Sequence, residues 1–161
     1  MKKTMTNVTL PVIGNIEEAE AWSKEFAAII TAGPSESEVR WGHPNHLVVE
    51  FRDTTIGNGT PTLEQIKTMV LWGEDKDDLL VHCHAGMSRS TSTAWGIAIA
   101  RGVDPEEAFI TLRDEQPLEE HLYGKGARRD FIPNRLVVKH LEKMFNLDLM
   151  PILYVNRHQN Y

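Results

Sequence analysis

Apolar and polar positions along the chain fall into blocks that switch between two periods. Residues 8–13 predict a strand, and Asn15-Ile16-Glu17-Glu18 then opens a helix, a capping residue followed by acids in the first turn. Ala19, Trp22, Phe26 and Ile29 recur at helical spacing, so this helix is expected to continue until Gly33-Pro34 stops it. Residues 47–51 read as a second, buried strand. Thr60-Pro61 begins another helix whose apolar face is Leu63, Ile66, Met69 and Val70. The short apolar run 79–82, preceded by Asp75, Asp77 and Asp78, predicts a third strand, and 90–101 a helix ended by Gly102. Asp104-Pro105-Glu106-Glu107 restarts a helix with Ala108, Phe109 and Leu112 facing inward. A glycine-bearing, basic segment, 121–130, leads to helical spacing over 133–145, with Leu136, Val137, His140, Leu141 and Met144 on its inner side. The tail, apolar at Leu149, Ile152, Leu153 and Tyr154, either packs on the core or forms a partner surface. Strands alternating with helices predict an α/β fold, a central, mostly parallel sheet flanked by helices.

Composition narrows the class. A chain of 161 residues can bury one sizeable core, so residues 1–161 are expected to form a single domain. One cysteine excludes an intramolecular disulfide framework and suits a reducing compartment, which predicts a cytoplasmic protein. The formal charge of −6 disfavours nucleic acid as a partner. Nothing approaches the length of a membrane span, and the two lysines after Met1 precede no apolar run, so neither a membrane partner nor a signal peptide is expected.

The chemistry concentrates in His82-Cys83-His84-Ala85-Gly86-Met87-Ser88-Arg89-Ser90-Thr91, which joins the end of the third strand to the start of a helix. Successive amides in such a turn, together with the positive end of the helix dipole, form an anion site with Cys83 at its floor. The helix N-terminus and the Arg89 guanidinium both favour the thiolate, the nucleophilic form of cysteine. Arg89 can grip two phosphoryl oxygens with its planar fork, which a lysine cannot. Gly86 allows positive φ and close approach of a ligand oxygen. Ser90 can donate toward a departing sulfur, and His82, on the strand, orients the loop through hydrogen bonds.

This run resembles the signature of the cysteine-dependent protein tyrosine phosphatases, His-Cys, five residues, then Arg-Ser or Arg-Thr. Cys83-His84-Ala85-Gly86-Met87-Ser88-Arg89-Ser90 is most similar to the dual-specificity branch, and the likeness in element order is clearest over residues 47–145. The resemblance implies a phosphatase-like domain of the dual-specificity type. It would hydrolyse phosphate monoesters, on protein phosphotyrosine and also phosphoserine or phosphothreonine, through a phosphocysteine intermediate. Cys83, Arg89 and Ser90 would act in catalysis. His84, Ala85, Gly86, Met87, Ser88 and Arg89 would bind the phosphoryl group, with His82 supporting them. No metal or cofactor is implied.

Expulsion of an alkoxide or phenoxide also needs an acid. Asp53 is the candidate: it follows the strand 47–51, opens a loop containing Gly57 and Gly59 that can close over the site, and precedes Cys83 by a spacing similar to that of the dual-specificity branch. Asp75, Asp77 and Asp78 lie at the opposite end of the sheet, Asp114 and Glu115 near an exposed helix end, and Asp130 in a loop that could reach the pocket. The Trp-Pro-Asp motif of the tyrosine-specific branch is absent, since the chain reads Phe51-Arg52-Asp53-Thr54.

Other readings are weaker. His82 and His84 lie on one side of an extended chain with Cys83 opposite, and no second ligand pair follows at zinc spacing; His43 and His46 are distant in sequence. The loop lacks the lysines frequent in phosphoinositide phosphatases, which leaves a lipid headgroup as the less favoured substrate; a nucleotide phosphate is a further alternative. A phosphate-binding module without turnover would keep Arg89 and lose the nucleophile or the acid. A sulfur-transfer or arsenate-reducing enzyme also uses a low-pKa cysteine in an anion loop; the reductases need resolving cysteines in addition, and this chain has one cysteine only. Lys125, Arg128 and Arg129 are either a patch for an acidic substrate or a solvated loop.

Overall fold

A computed structural model describes residues 8–116 and 129–158. Four strands, β1 (Val12–Gly14), β2 (Ala28–Gly33), β3 (His46–Glu50) and β4 (Leu79–His82), form one sheet in the order β1-β4-β2-β3, and every pairing is parallel. The described helices are α1 (Ile16–Trp22), α2 (Leu63–Glu74), α3 (Arg89–Ala100), α4 (Pro105–Asp114), α5 (Arg135–Phe145) and α6 (Met150–His158). The expected α/β architecture with a parallel sheet is therefore the observed one.

The two faces of the sheet are covered unequally. Ile13, Ile30, Ala32, Leu79 and Val81 point into the main core, which α2 to α6 complete with Met69, Trp95, Phe109 and Leu141. The alternate residues Ile29 and Leu80 pack on the other face against Ala19, with Trp22, Phe26 and Trp41 over them. One face thus lies under a thick helical layer, the other under α1 and a few aromatic rings. Helix α3 is buried from Ser90 to Ile99. Its hydroxyls return to the helix backbone: Ser92 Oγ donates to Ser88 O at 2.8 Å and Thr93 Oγ1 to Arg89 O at 2.8 Å, so no polar group there is stranded.

Two expectations need correction. The helix that opens at Asn15 ends at Trp22, followed by a single 3-10 turn, Ser23–Glu25; Phe26 is extended and Ile29 lies on β2. Ile29 continues the helical spacing by coincidence. The run from Ala28 to Gly33 is uninterruptedly buried and holds β-branched Ile29, Ile30 and Thr31, which suits a central strand covered on both faces. β2 consequently lies between β3 and β4, so the strand before Asp53 is not the immediate neighbour of the nucleophile strand. The first strand starts at Val12 instead of residue 8. The tail packs on the core: Leu149 and Leu153 are buried, and α6 lies against α4.

Candidate active site

Cys83 follows β4 directly, at the carboxyl end of the parallel sheet where ligands of such folds bind. Its side chain is 2 % exposed. Sγ accepts a hydrogen bond from the Gly86 N–H at 3.2 Å and lies 3.2 Å from Ser90 Oγ. Both groups can donate to the sulfur. Gly86 has φ +71°, and a Cβ there would meet Asn15 N at 2.9 Å and Arg129 Nη1 at 2.6 Å, so only glycine fits this crowded turn. Ile16 N–H donates to His84 O at 3.1 Å and Ile132 N–H to Met87 O at 2.9 Å, which clamps the loop from both sides.

Ser88 stands at the N-cap position of α3 but makes no side-chain cap. Its hydroxyl instead donates to Asp53 Oδ1 at 2.7 Å, and Asn134 Nδ2 donates to the same oxygen at 2.9 Å. The structure therefore brings Asp53 onto the Cys83–Arg89 loop. Asn134 serves twice, because its Oδ1 accepts from Leu136 N–H and Val137 N–H and so caps α5. Arg89 Nη1 donates to Phe51 O at 2.7 Å, which ties the start of the Asp53 loop to α3. The guanidinium lies against Gly33, whose φ is +116°; a Cβ at Gly33 would overlap it.

His82 is fully buried. Its Nδ1 lies 3.1 Å from Cys83 O and its Nε2 2.7 Å from Thr31 Oγ1. Burial pushes its pKa from the ordinary 6.5 down to about 4, so the ring is neutral at physiological pH. His84 is exposed and pairs with Glu38 at 3.1 Å. Hydrogen bonds from the Ser35 backbone and hydroxyl hold Glu38 below the usual carboxylate range. Asp75 and Asp77 are remote from Cys83, and Asp78 Oδ2 accepts from Ala27 N–H at 3.0 Å at the opposite sheet end. Asp114 and Glu115 are exposed at the end of α4, and Asp130 is exposed as well.

Arg129 is not part of a solvated patch. It is buried, with Nη2 2.6 Å from the buried Glu18 Oε1, and that carboxylate also accepts from Asn15 N–H. Lys125 and Arg128 lie outside the described residues. Sequence reasoning missed four supports: Thr31, Gly33, Asn134 and the Glu18–Arg129 pair. Pro133-Asn134 ahead of a helix was a readable cap signal; its second contact, to Asp53, joins residues 81 apart in sequence.

No protein-family model matches the chain, and no curated protein matches it in sequence. Solved structures do match. Human DUSP28 superposes with a TM-score of 0.60 at 16% identity, covering 92% of this chain and 94% of that one. OH1 from the Orf virus, described as a tyrosine phosphatase with triple substrate specificity, gives 0.53 at 23% identity over 92% and 90%. The human tyrosine phosphatase-like serine/threonine/tyrosine-interacting protein gives 0.57 at 17% over 83% and 89%. The fold is that of the cysteine-dependent phosphatases of the dual-specificity type.

Proposed function

We propose that this protein is a cysteine-dependent phosphatase that hydrolyses phosphate monoesters, foremost protein phosphotyrosine, and phosphoserine or phosphothreonine as well. The observation that carries this reading is the hydrogen bond from Ser88 to Asp53, which supports it by holding a carboxyl group against the loop that bears Cys83. The Ser88 hydroxyl is spent on Asp53, so the first amides of α3 are left to an anion.

In the first step the Cys83 thiolate attacks phosphorus. The S–P bond forms, the P–O bond to the substrate breaks, and the departing oxygen takes the proton of Asp53. Both described donors to Asp53 bind Oδ1, which makes Oδ2 the oxygen that carries this proton. Loop amides and Arg89 stabilise the charge on the equatorial oxygens. In the second step Asp53 takes a proton from water, the hydroxide oxygen bonds to phosphorus, and the S–P bond breaks. Ser90 Oγ, 3.2 Å from Sγ, donates to the departing thiolate. A reducing compartment such as the cytoplasm keeps the single cysteine in its working state.

The test is phosphate release from a phosphotyrosine peptide by wild type and Cys83→Ser. A loss of about 10⁴-fold or more is expected in the variant. Equal turnover by both proteins would overturn the mechanism, and tight peptide binding without phosphate release by wild type would make the chain a phosphate-binding module.

A further inference from the structure

Behind the nucleophile, on the thinly covered face of the sheet, lies a chain of polar groups of which the phosphatase reading uses only His82. Thr31 on β2 is register-paired with His82 on β4, while His46 begins β3 beside it. Thr31 Oγ1 is 2.7 Å from His82 Nε2 and 2.6 Å from His46 Nε2. Trp41 covers both imidazoles, its ring centroid 5.6 Å from that of His46 and 5.2 Å from that of His82.

The protons in this chain can be assigned from its far end. Cys83 O is a carbonyl and only accepts, so His82 Nδ1 carries the hydrogen. A neutral His82 then has a bare Nε2, which accepts from the Thr31 hydroxyl. With its only proton given to His82, Thr31 Oγ1 must accept from His46, whose Nε2 therefore carries hydrogen. Every bond points the same way, from His46 through Thr31 and His82 to the peptide of Cys83, and such aligned bonds polarise one another.

We propose that His46 is a positioning residue for the nucleophile, acting through Thr31 and His82, and that its protonation tightens this chain and favours the reactive form of Cys83 at acid pH. His46 is half-buried, whereas His82 is sealed, so His46 is the member of the chain that exchanges protons with solvent. A positive charge on His46 strengthens its donation to Thr31, hence the donation of Thr31 to His82 and of His82 to Cys83 O. The groups facing His46 are His43 in the loop before β3, Glu36 in the 3-10 turn after β2, and His82. Burial and His43 hold its pKa below 6.5 while Glu36 opposes them, which places the effect on the acid side of neutrality. His84, paired with Glu38, also faces His82.

The inference rests on Cys83 being the nucleophile, and its test separates the two claims by reading sulfur reactivity instead of turnover. The chain has one cysteine, so iodoacetate labelling followed by intact mass reports Cys83 alone. Labelling rates from pH 4.5 to 8.5 are compared for wild type, Thr31→Val, Thr31→Ser and His46→Gln. Thr31→Val, which removes both the bond to His82 and the bond from His46, is expected to label at least about fivefold more slowly, and Thr31→Ser to restore the rate. His46→Gln keeps an N–H where Nε2 stands but does not titrate. It is expected to match wild type above pH 7.5 and to lose the extra reactivity below pH 6. A merely structural role would lower all rates alike and leave the shape of the pH profile intact, which overturns the proposal, as does a His46→Gln profile identical to wild type. If Thr31→Val does not fold, the His46→Gln profile decides alone. Labelling that behaves as expected in a protein that releases no phosphate upholds the chain and removes the phosphatase reading.

Discussion

The nucleophile loop and its supports are built on opposite plans. Cys83, Gly86, Ser88, Arg89 and Ser90 occupy one short stretch between β4 and α3, so their chemistry is local: a strand end, a tight turn and a helix start place them with little help. The supports come from everywhere else. Thr31 and Gly33 arrive from β2, Phe51 and Asp53 from the end of β3, Asn134 from the start of α5, and Glu18 with Arg129 from α1 and the segment before α5. A loop of this kind can be written in ten consecutive residues, whereas its preorganisation requires the whole sheet to close in the right order. The phosphate-binding chemistry should therefore fail steeply when the loop changes, and in a graded way when a support does.

After Cys83→Ser, Arg89→Lys should show the largest effect, since a lysine keeps the charge but neither the fork nor the bond to Phe51 O. A fall of about 10³-fold in kcat/KM on a phosphotyrosine peptide is expected. Asp53→Asn should cost about 10²-fold on the same peptide and much less on an aryl phosphate with a good leaving group. An equal loss on both substrates would move the acid elsewhere. Gly33→Ala, a change in a support, should cost about tenfold, because the added Cβ displaces the Arg89 guanidinium and strains a φ of +116°. If Gly33→Ala were as damaging as Arg89→Lys, the distinction between loop and support would collapse.

The smallest effect concerns stability. His82 has a folded-state pKa of about 4 against 6.5 unfolded, so its contribution is whole above pH 6.5 and is lost as pH falls toward 4, where the unfolded chain takes up a proton that the folded one refuses. Urea unfolding should show about 2 kcal/mol less stability at pH 5 than at pH 7.5 from this residue. His82→Asn, which keeps a donor for Cys83 O, should lose that portion of the pH dependence.

The same contrast explains what could be read in the sequence. The loop, β3, β4, the start of α4 and the periodic apolar faces of α2 and α5 carry local signals, and these were legible. β2 was not, because Ala19, Trp22, Phe26 and Ile29 keep a helical rhythm across a real boundary; the competing signal was the unbroken apolar run around Ile29 and Ile30. Asn134 was missed although its place after Pro133 signals a cap, and its bond to Asp53 exists only once β3 and α5 meet. Arg129 reads as a surface charge because its partner Glu18 lies 111 positions away. The structure brings Asp53 to the loop, as the strand-end argument anticipated, although β2 intervenes between the two strands.

Trapping the intermediate tests the central claim most directly. Ser90→Ala removes the hydroxyl that assists the departing sulfur, so its second step should be slowed more than its first. Acid-quenching this variant within its first turnovers of an aryl phosphate and measuring the intact mass should show one phosphoryl group on Cys83, formed as fast as the phenol is released. Phenol release with no adduct on Cys83 at any quench time would contradict the account.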